Sequence, residues 1–255
     1  MEKNSSRTGM TEAKILRLGE PDYPRNLANP NYPRLPFHLP HPVVNRTEQG
    51  VPHTLYQLGT FSNTTETSHL AVIGSRNLTA QAERVIATFL PTFFTAFGQA
   101  FPLATLSIIS GMTVGGDAAA QWLAFDNGIH TTGISATSIN HPHRESDVSL
   151  YERLMVNPKT SVLSEYPATP APAKEQYYDR NRIVAWMSGA VLAYGIQKPT
   201  SGAMHTISLA RAMGIRVFYI ESTVSPAVRT KLNQLGCIPV ASAEDFIAKI
   251  KNPAL

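Results

Sequence analysis

Cysteine is nearly absent from this chain of 255 residues: Cys237 stands alone and can form no internal disulfide. That agrees with a reducing compartment, and a cytoplasmic location is expected. Charge is sparse as well, 16% of residues against 43% apolar, a balance that excludes general disorder. The formal excess of +4 is small, so it permits a nucleotide or nucleic-acid partner without establishing one. No charged residue occurs between Arg84 and Asp117, yet Pro91, Gly98, Pro102 and several threonines break this stretch. Its apolar residues never run for the roughly 20 positions of a spanning helix, so a buried helix and strand are expected and no membrane segment. The N-terminal residues carry no apolar run behind their basic ones, and no signal peptide is expected.

Familiar catalytic signatures are missing too. There is no Walker pattern, no Gly-x-Ser-x-Gly elbow, and no motif around Cys237. His141-Pro142-His143 has no accompanying carboxylate or cysteine cluster, so no metal is expected, and no cofactor.

Prolines are plentiful near the N-terminus: Pro21, Pro24, Pro30, Pro33, Pro36, Pro40, Pro42 and Pro52. Proline removes donors and disfavours helix before it. Residues 1–60 therefore read as an extended arm packed on the core through Leu35, Phe37, Leu39, Leu55, Tyr56 and Leu58, with helical periodicity confined to Ala13–Leu18. Residues 61–255 read as one domain in which β-branched runs alternate with amphipathic segments. Strands are expected at 69–73, 105–109, 129–134, 160–163, 190–194, 216–220 and 238–240. Helices are expected at 79–97, 118–127, 146–156, 176–187, 203–213, 225–235 and 243–250. The pattern predicts an α/β, Rossmann-like, doubly wound and mostly parallel sheet with helices on both faces.

In such sheets ligands bind beyond the carboxyl ends of the strands. There the chain places Gly74-Ser75-Arg76; Ser110-Gly111-Met112 with Gly115-Gly116-Asp117; Ser164-Glu165-Tyr166-Pro167 with Arg180-Asn181-Arg182; and Lys198 with Ser201-Gly202. Small turns and forked guanidinium groups suit phosphate. Asp117 reads as a helix cap or as a carboxylate for a ribose hydroxyl. Glu165 reads as a loop residue, a partner for Arg180 or Arg182, or a ligand group.

Taken in order, these motifs resemble the DprA/Smf family of DNA-processing proteins, within a wider Rossmann-like nucleotide-binding group. The stretches that match are Ala71–Arg76, Ile109–Met112 with Gly115 and Asp117, Ser164–Pro167, Arg180–Ala185 and Ser201–Thr206, preceded by Tyr23-Pro24 and Leu55–Gly59. The chain departs from the family pattern at Val114, Gly116 and Gln121, and no winged-helix domain is expected after the core. The resemblance implies a fold without a catalytic step that binds single-stranded DNA in a basic pocket. Arg76, Arg180, Arg182 and Lys198 would contact phosphates, and turns at Gly74, Gly111 and Gly202 would let the backbone approach them. It further implies a homodimer and a RecA-type recombinase as partner. The alternative is a nucleotide sensor or nucleoside-monophosphate glycosidase of the same group.

Overall fold

The computed structural model describes residues 13–25, 27, 51–139, 147–166 and 174–252. Most of the proline-rich arm, His141 to His143 and Pro167 lie outside them. The strands are β1 (Lys14–Arg17), β2 (Thr54–Gly59), β3 (Thr67–Gly74), β4 (Thr105–Ser110), β5 (His130–Ile134), β6 (Thr160–Ser164), β7 (Ala190–Tyr194), β8 (Arg216–Ile220) and β9 (Ile238–Val240). The helices are α1 (Ala80–Ala100), α2 (Gly116–Asp126), α3 (Val148–Val156), α4 (Lys174–Trp186), α5 (Gly202–Ala212), α6 (Pro226–Gln234) and α7 (Ala243–Lys251).

They form one nine-stranded sheet in the order β1-β2-β6-β5-β4-β3-β7-β8-β9. From β6 to β9 all neighbours are parallel; β1 and β2 join antiparallel at the β6 edge. The expected doubly wound α/β sheet is therefore the observed one, with most elements within a few residues of their predicted bounds. One expectation needs correction. The described part of the first 60 residues is more than an extended arm packed on the core: β1 and β2 extend the sheet itself, and the stretch of helical periodicity at Ala13–Leu18 contains strand β1. Leu16 and Leu55 are fully buried, so alternation placed one apolar side of this hairpin in the core.

Two apolar layers sandwich the sheet. On one face α1, α2 and α7 cover Leu70, Val72, Ile108 and Phe218; on the other α4, α5 and α6 cover Ala71, Ile73, Ile109 and Val217. The uncharged stretch after Arg84 is α1 followed by β4. Thr79 caps α1 by accepting from Ala82 N–H at 3.1 Å, and Phe89, Phe93, Phe94 and Phe97 are buried along it. Phe93 and Phe218 each lie 4.8 Å from the Phe246 ring of α7, which locks α1 and α7 onto the sheet. Among the described residues no helix is long and apolar enough to cross a membrane.

Strand order reverses at β3: the chain winds outward through β4, β5 and β6, then returns to β7 on the other side. Such a switch point parts the loops that follow β3 and β7 and leaves a crevice between them.

Candidate nucleic-acid site

A cavity of about 750 Å³ occupies that crevice. Its walls are the β3–α1 turn (Gly74, Ser75, Arg76), the β4–α2 loop (Gly111, Thr113, Asp117), the β7–α5 loop (Lys198, Ser201, Gly202) and one face of α4.

The floor is held by close backbone approach. Gly115, at φ +91°, lies so near the β3–α1 turn that an added Cβ would sit 2.1 Å from Arg76 O; one on Gly116 would sit 2.5 Å from Gly74 Cα. Gly116 N–H donates to Ser75 O at 2.9 Å, and Tyr194 Oη donates to Gly116 O at 2.7 Å. The glycines thus serve the protein's own packing first. A Cβ on Gly111 would collide with the Arg180 guanidinium, whereas Gly202 faces open space.

Asp117, in the first turn of α2, accepts from Gly74 N–H at 3.2 Å. Burial pushes its carboxyl above the ordinary value, while the Arg180 charge and hydrogen bonds from Gly74, Thr113 and Gly111 pull the other way. Arg180 is 3% exposed and forms the back wall. Its Nη1 donates to Gly111 O and, at 2.6 Å, to Ile134 O; its Nη2 donates to Thr113 Oγ1 at 3.2 Å. Arg76 and Lys198 stand exposed at the mouth. Ser201 caps α5, accepting from Met204 N–H at 3.4 Å, and the first turn of that helix borders the cavity. The leading amides of a helix have no partner within it, so this turn favours an anion.

Of the expected residues, Gly74, Ser75, Arg76, Gly111, Asp117, Arg180, Asn181, Lys198, Ser201 and Gly202 are brought together around the cavity. Three are not. Arg182 is completely enclosed on the sheet side of α4, where it forms a two-pronged ion pair with Glu165 and donates to Asp179 O at 2.7 Å. Glu165 is spent on that pair and is no ligand group at the cavity. Ser110 is fully buried and donates to Val72 O at 2.6 Å, tying β4 to β3. Sequence reasoning missed Thr113, Tyr177, Tyr178 and Gln197, which also line the cavity. A signal for Tyr177 existed: Tyr177, Arg180, Asn181 and Val184 follow the i, i+3, i+4, i+7 spacing of one helical face. Among the described residues no group of three or more histidine, cysteine or acidic side chains could hold a metal ion.

Fold and cavity together define an α/β protein of the doubly wound, Rossmann-like class with a crevice at its switch point. Within that class the chain belongs to the DNA recombination-mediator protein A family, whose model matches residues 14–251. It is 26% identical over 198 residues to protein Smf of Synechocystis, covering 76% of this chain and 45% of that protein. It is 29% identical over 182 residues to a putative DNA processing protein DprA of Mycobacterium tuberculosis, covering 69% and 43%. The chain thus spans less than half the length of these two relatives. The X-ray structure of DprA from Streptococcus pneumoniae superposes with a TM-score of 0.73 at 23% identity, covering 93% of this chain and 74% of that one. DprA from Helicobacter pylori, solved for its single-stranded DNA binding mode, gives 0.63 at 21%, covering 79% and 88%.

Proposed function

We propose that this DNA-processing protein holds single-stranded DNA, or a nucleotide of it, in the switch-point cavity without a catalytic step. The observation that carries this reading is the cavity's composition: exposed Arg76 and Lys198, the first turn of α5 and two tyrosines converge on one space. Cations and amides suit phosphates, and tyrosine faces stack bases whatever their identity, so binding is sequence-tolerant and salt-sensitive. Gly74, Ser75, Gly111, Arg180, Asn181, Ser201 and Gly202 complete the proposed lining; Ser110, Glu165 and Arg182 do not border the cavity and are left out of it. Following the family, we extend the proposal to a cytoplasmic homodimer that assists a RecA-type recombinase in recombination or DNA uptake. Sedimentation and recombinase-loading assays test those steps.

Fluorescence anisotropy of a labelled single strand, wild type against Arg76→Ala/Lys198→Ala, tests the pocket. Two lost phosphate contacts should weaken binding about 25-fold near 0.1 M salt and lower the salt slope by about 1.4. A double variant that binds like wild type refutes the proposal.

Asp117 supports a second reading, a nucleotide sensor or nucleoside-monophosphate glycosidase, because a carboxylate beside a phosphate site can hold ribose hydroxyls or assist bond cleavage. Its engagement with Gly74 N–H makes a structural clamp the stronger assignment. Base release from a nucleoside monophosphate, lost in Asp117→Asn, would reverse that ranking.

A further inference from the structure

Beside the pocket the surface of α6 is cationic. The surface of α6 carries Arg229 and Lys231, with no carboxylate and no aromatic ring between Pro226 and Gln234. Arg229, Thr230 and Lys231 are all exposed. Lys231 Nζ donates to Pro199 O at 3.4 Å, which sets its ammonium beside the loop that bears Lys198. One such contact leaves two of the three ammonium donors for other acceptors.

That loop and the start of α6 form a continuous ledge. Gln197 Nε2 donates to Thr223 O at 2.9 Å, Ser225 Oγ donates to Gln197 O at 3.0 Å, and Ser225 N–H donates to Ile196 O at 3.2 Å. Arg229 is paired with Glu221 at 3.4 Å, with both side chains 44% exposed, and such open pairs exchange partners readily.

We infer that a single strand seated in the cavity leaves it past Lys198 and crosses α6, where Lys231 supplies the next phosphate contact. This rests on the single-strand reading of the cavity and names a contact outside its lining. The occupant is the sugar–phosphate backbone: the ledge is continuous with the pocket, its charge complements phosphate, and it offers no ring for a base. Contact there is independent of sequence and grows with strand length.

The test is anisotropy on the full chain with oligothymidylates of about 5 and about 20 nucleotides, lengths near the lower end of, and beyond, the roughly 4–16 nucleotides that an OB fold covers. Lys231→Ala should bind the long strand about fivefold more weakly near 0.1 M salt, with a salt slope lower by about 0.7. Lys231→Glu should bind it more weakly still, and both variants should bind the short strand like wild type. Lys231 is exposed, so an unchanged melting temperature confirms the fold. Wild-type affinity of both variants for the long strand overturns the exit path, and so does an equal loss on both strands, which would put Lys231 in the pocket itself. Arg76→Ala separates the two readings. If it binds both strands like wild type, the pocket reading fails; if it loses both while the Lys231 variants lose neither, only the exit fails.

Discussion

At the mouth of the cavity Arg76 and Lys198 stand in solvent, whereas behind α4 the Arg182 guanidinium and the Glu165 carboxylate are sealed from it, at 0% and 1% side-chain exposure. The amino end of the sheet is an intermediate case, with His69 and His130 half-buried and Ser107 fully buried. His69, Ser107 and His130 sit side by side on β3, β4 and β5, and among the described residues His69 Nδ1, Ser107 Oγ and His130 Nδ1 have no hydrogen-bond partner. The contrast teaches which polar groups are available to a ligand. A charge at the open mouth costs little to keep hydrated and can turn to phosphate. A sealed charge has already been desolvated against an internal partner, and withdrawing it would leave that partner buried alone. Breaking the sealed region should therefore cost stability, and breaking the open one should cost only binding.

The largest effect is expected at Arg182. Arg182→Ala strands the Glu165 carboxylate and should destabilise the protein by about 3–5 kcal/mol in urea denaturation. Replacing both partners, as Arg182→Met/Glu165→Leu, should recover most of that loss, since no buried charge is left unpaired. A single variant within about 0.5 kcal/mol of wild type, the usual range for surface substitutions, would show that the pair is not sealed.

The second effect is a pH dependence from the amino end of the sheet. Burial, reinforced by His130, lowers His69 from 6.5 to about 4. Its folded value is thus below its unfolded one, so the unfolded chain takes up a proton that the native state refuses. Stability should be full above pH 6.5 and fall by about 3 kcal/mol as pH drops toward 4, with His130 acting in the same direction. Denaturation midpoints across that range should flatten in His69→Asn; parallel curves for variant and wild type would remove His69 as the cause.

The same contrast explains what could be read from sequence. Alternating strands and helices with turn residues between them revealed the sheet, because burial on both faces leaves long apolar runs in β3, β4 and β7. β1 and β2 escaped notice: they are antiparallel strands of four and six residues among prolines, and only the pairing of β2 with β6, and of β1 with β2, shows them to belong to the sheet. The loop motifs pointed to the strand ends, where the cavity lies, but Arg180-Asn181-Arg182 could not be assigned as a unit. Residues two apart on a helix point about 200° apart, so one arginine of the motif faces the cavity and the other the sheet. The helix expected over 176–187 already contained that distinction. The Ser110 role depended on a contact with Val72, distant in sequence, which no local pattern reveals, whereas pairing with Arg182 was one of the readings the sequence left open for Glu165.

A third experiment blurs the boundary between the two regions. Gly116→Ala pushes a methyl to 2.5 Å from Gly74 Cα, backbone that cannot rotate away. The overpacking should cost about 1–3 kcal/mol, and the displaced β3–α1 turn should carry Arg76 with it. Stability and single-strand affinity are therefore expected to fall together here, unlike at Arg182, where affinity per folded molecule should hold. A stable Gly116→Ala protein with unchanged affinity would mean that the glycine contact does not shape the pocket.

The smallest effect should come from Arg76→Lys, which sharpens the comparison by keeping the open charge and removing only its fork. Counterion release depends on charge, so the salt slope should stay at the wild-type value. The planar two-donor match to phosphate is lost, however, and affinity should drop by about threefold, short of the loss in Arg76→Ala. Stability should not change, because an exposed side chain is replaced by another of equal charge. A salt slope that fell as far as in the alanine variant would mean that Arg76 holds the turn in shape and does not meet phosphate; unchanged affinity would mean that it acts there as a point charge alone.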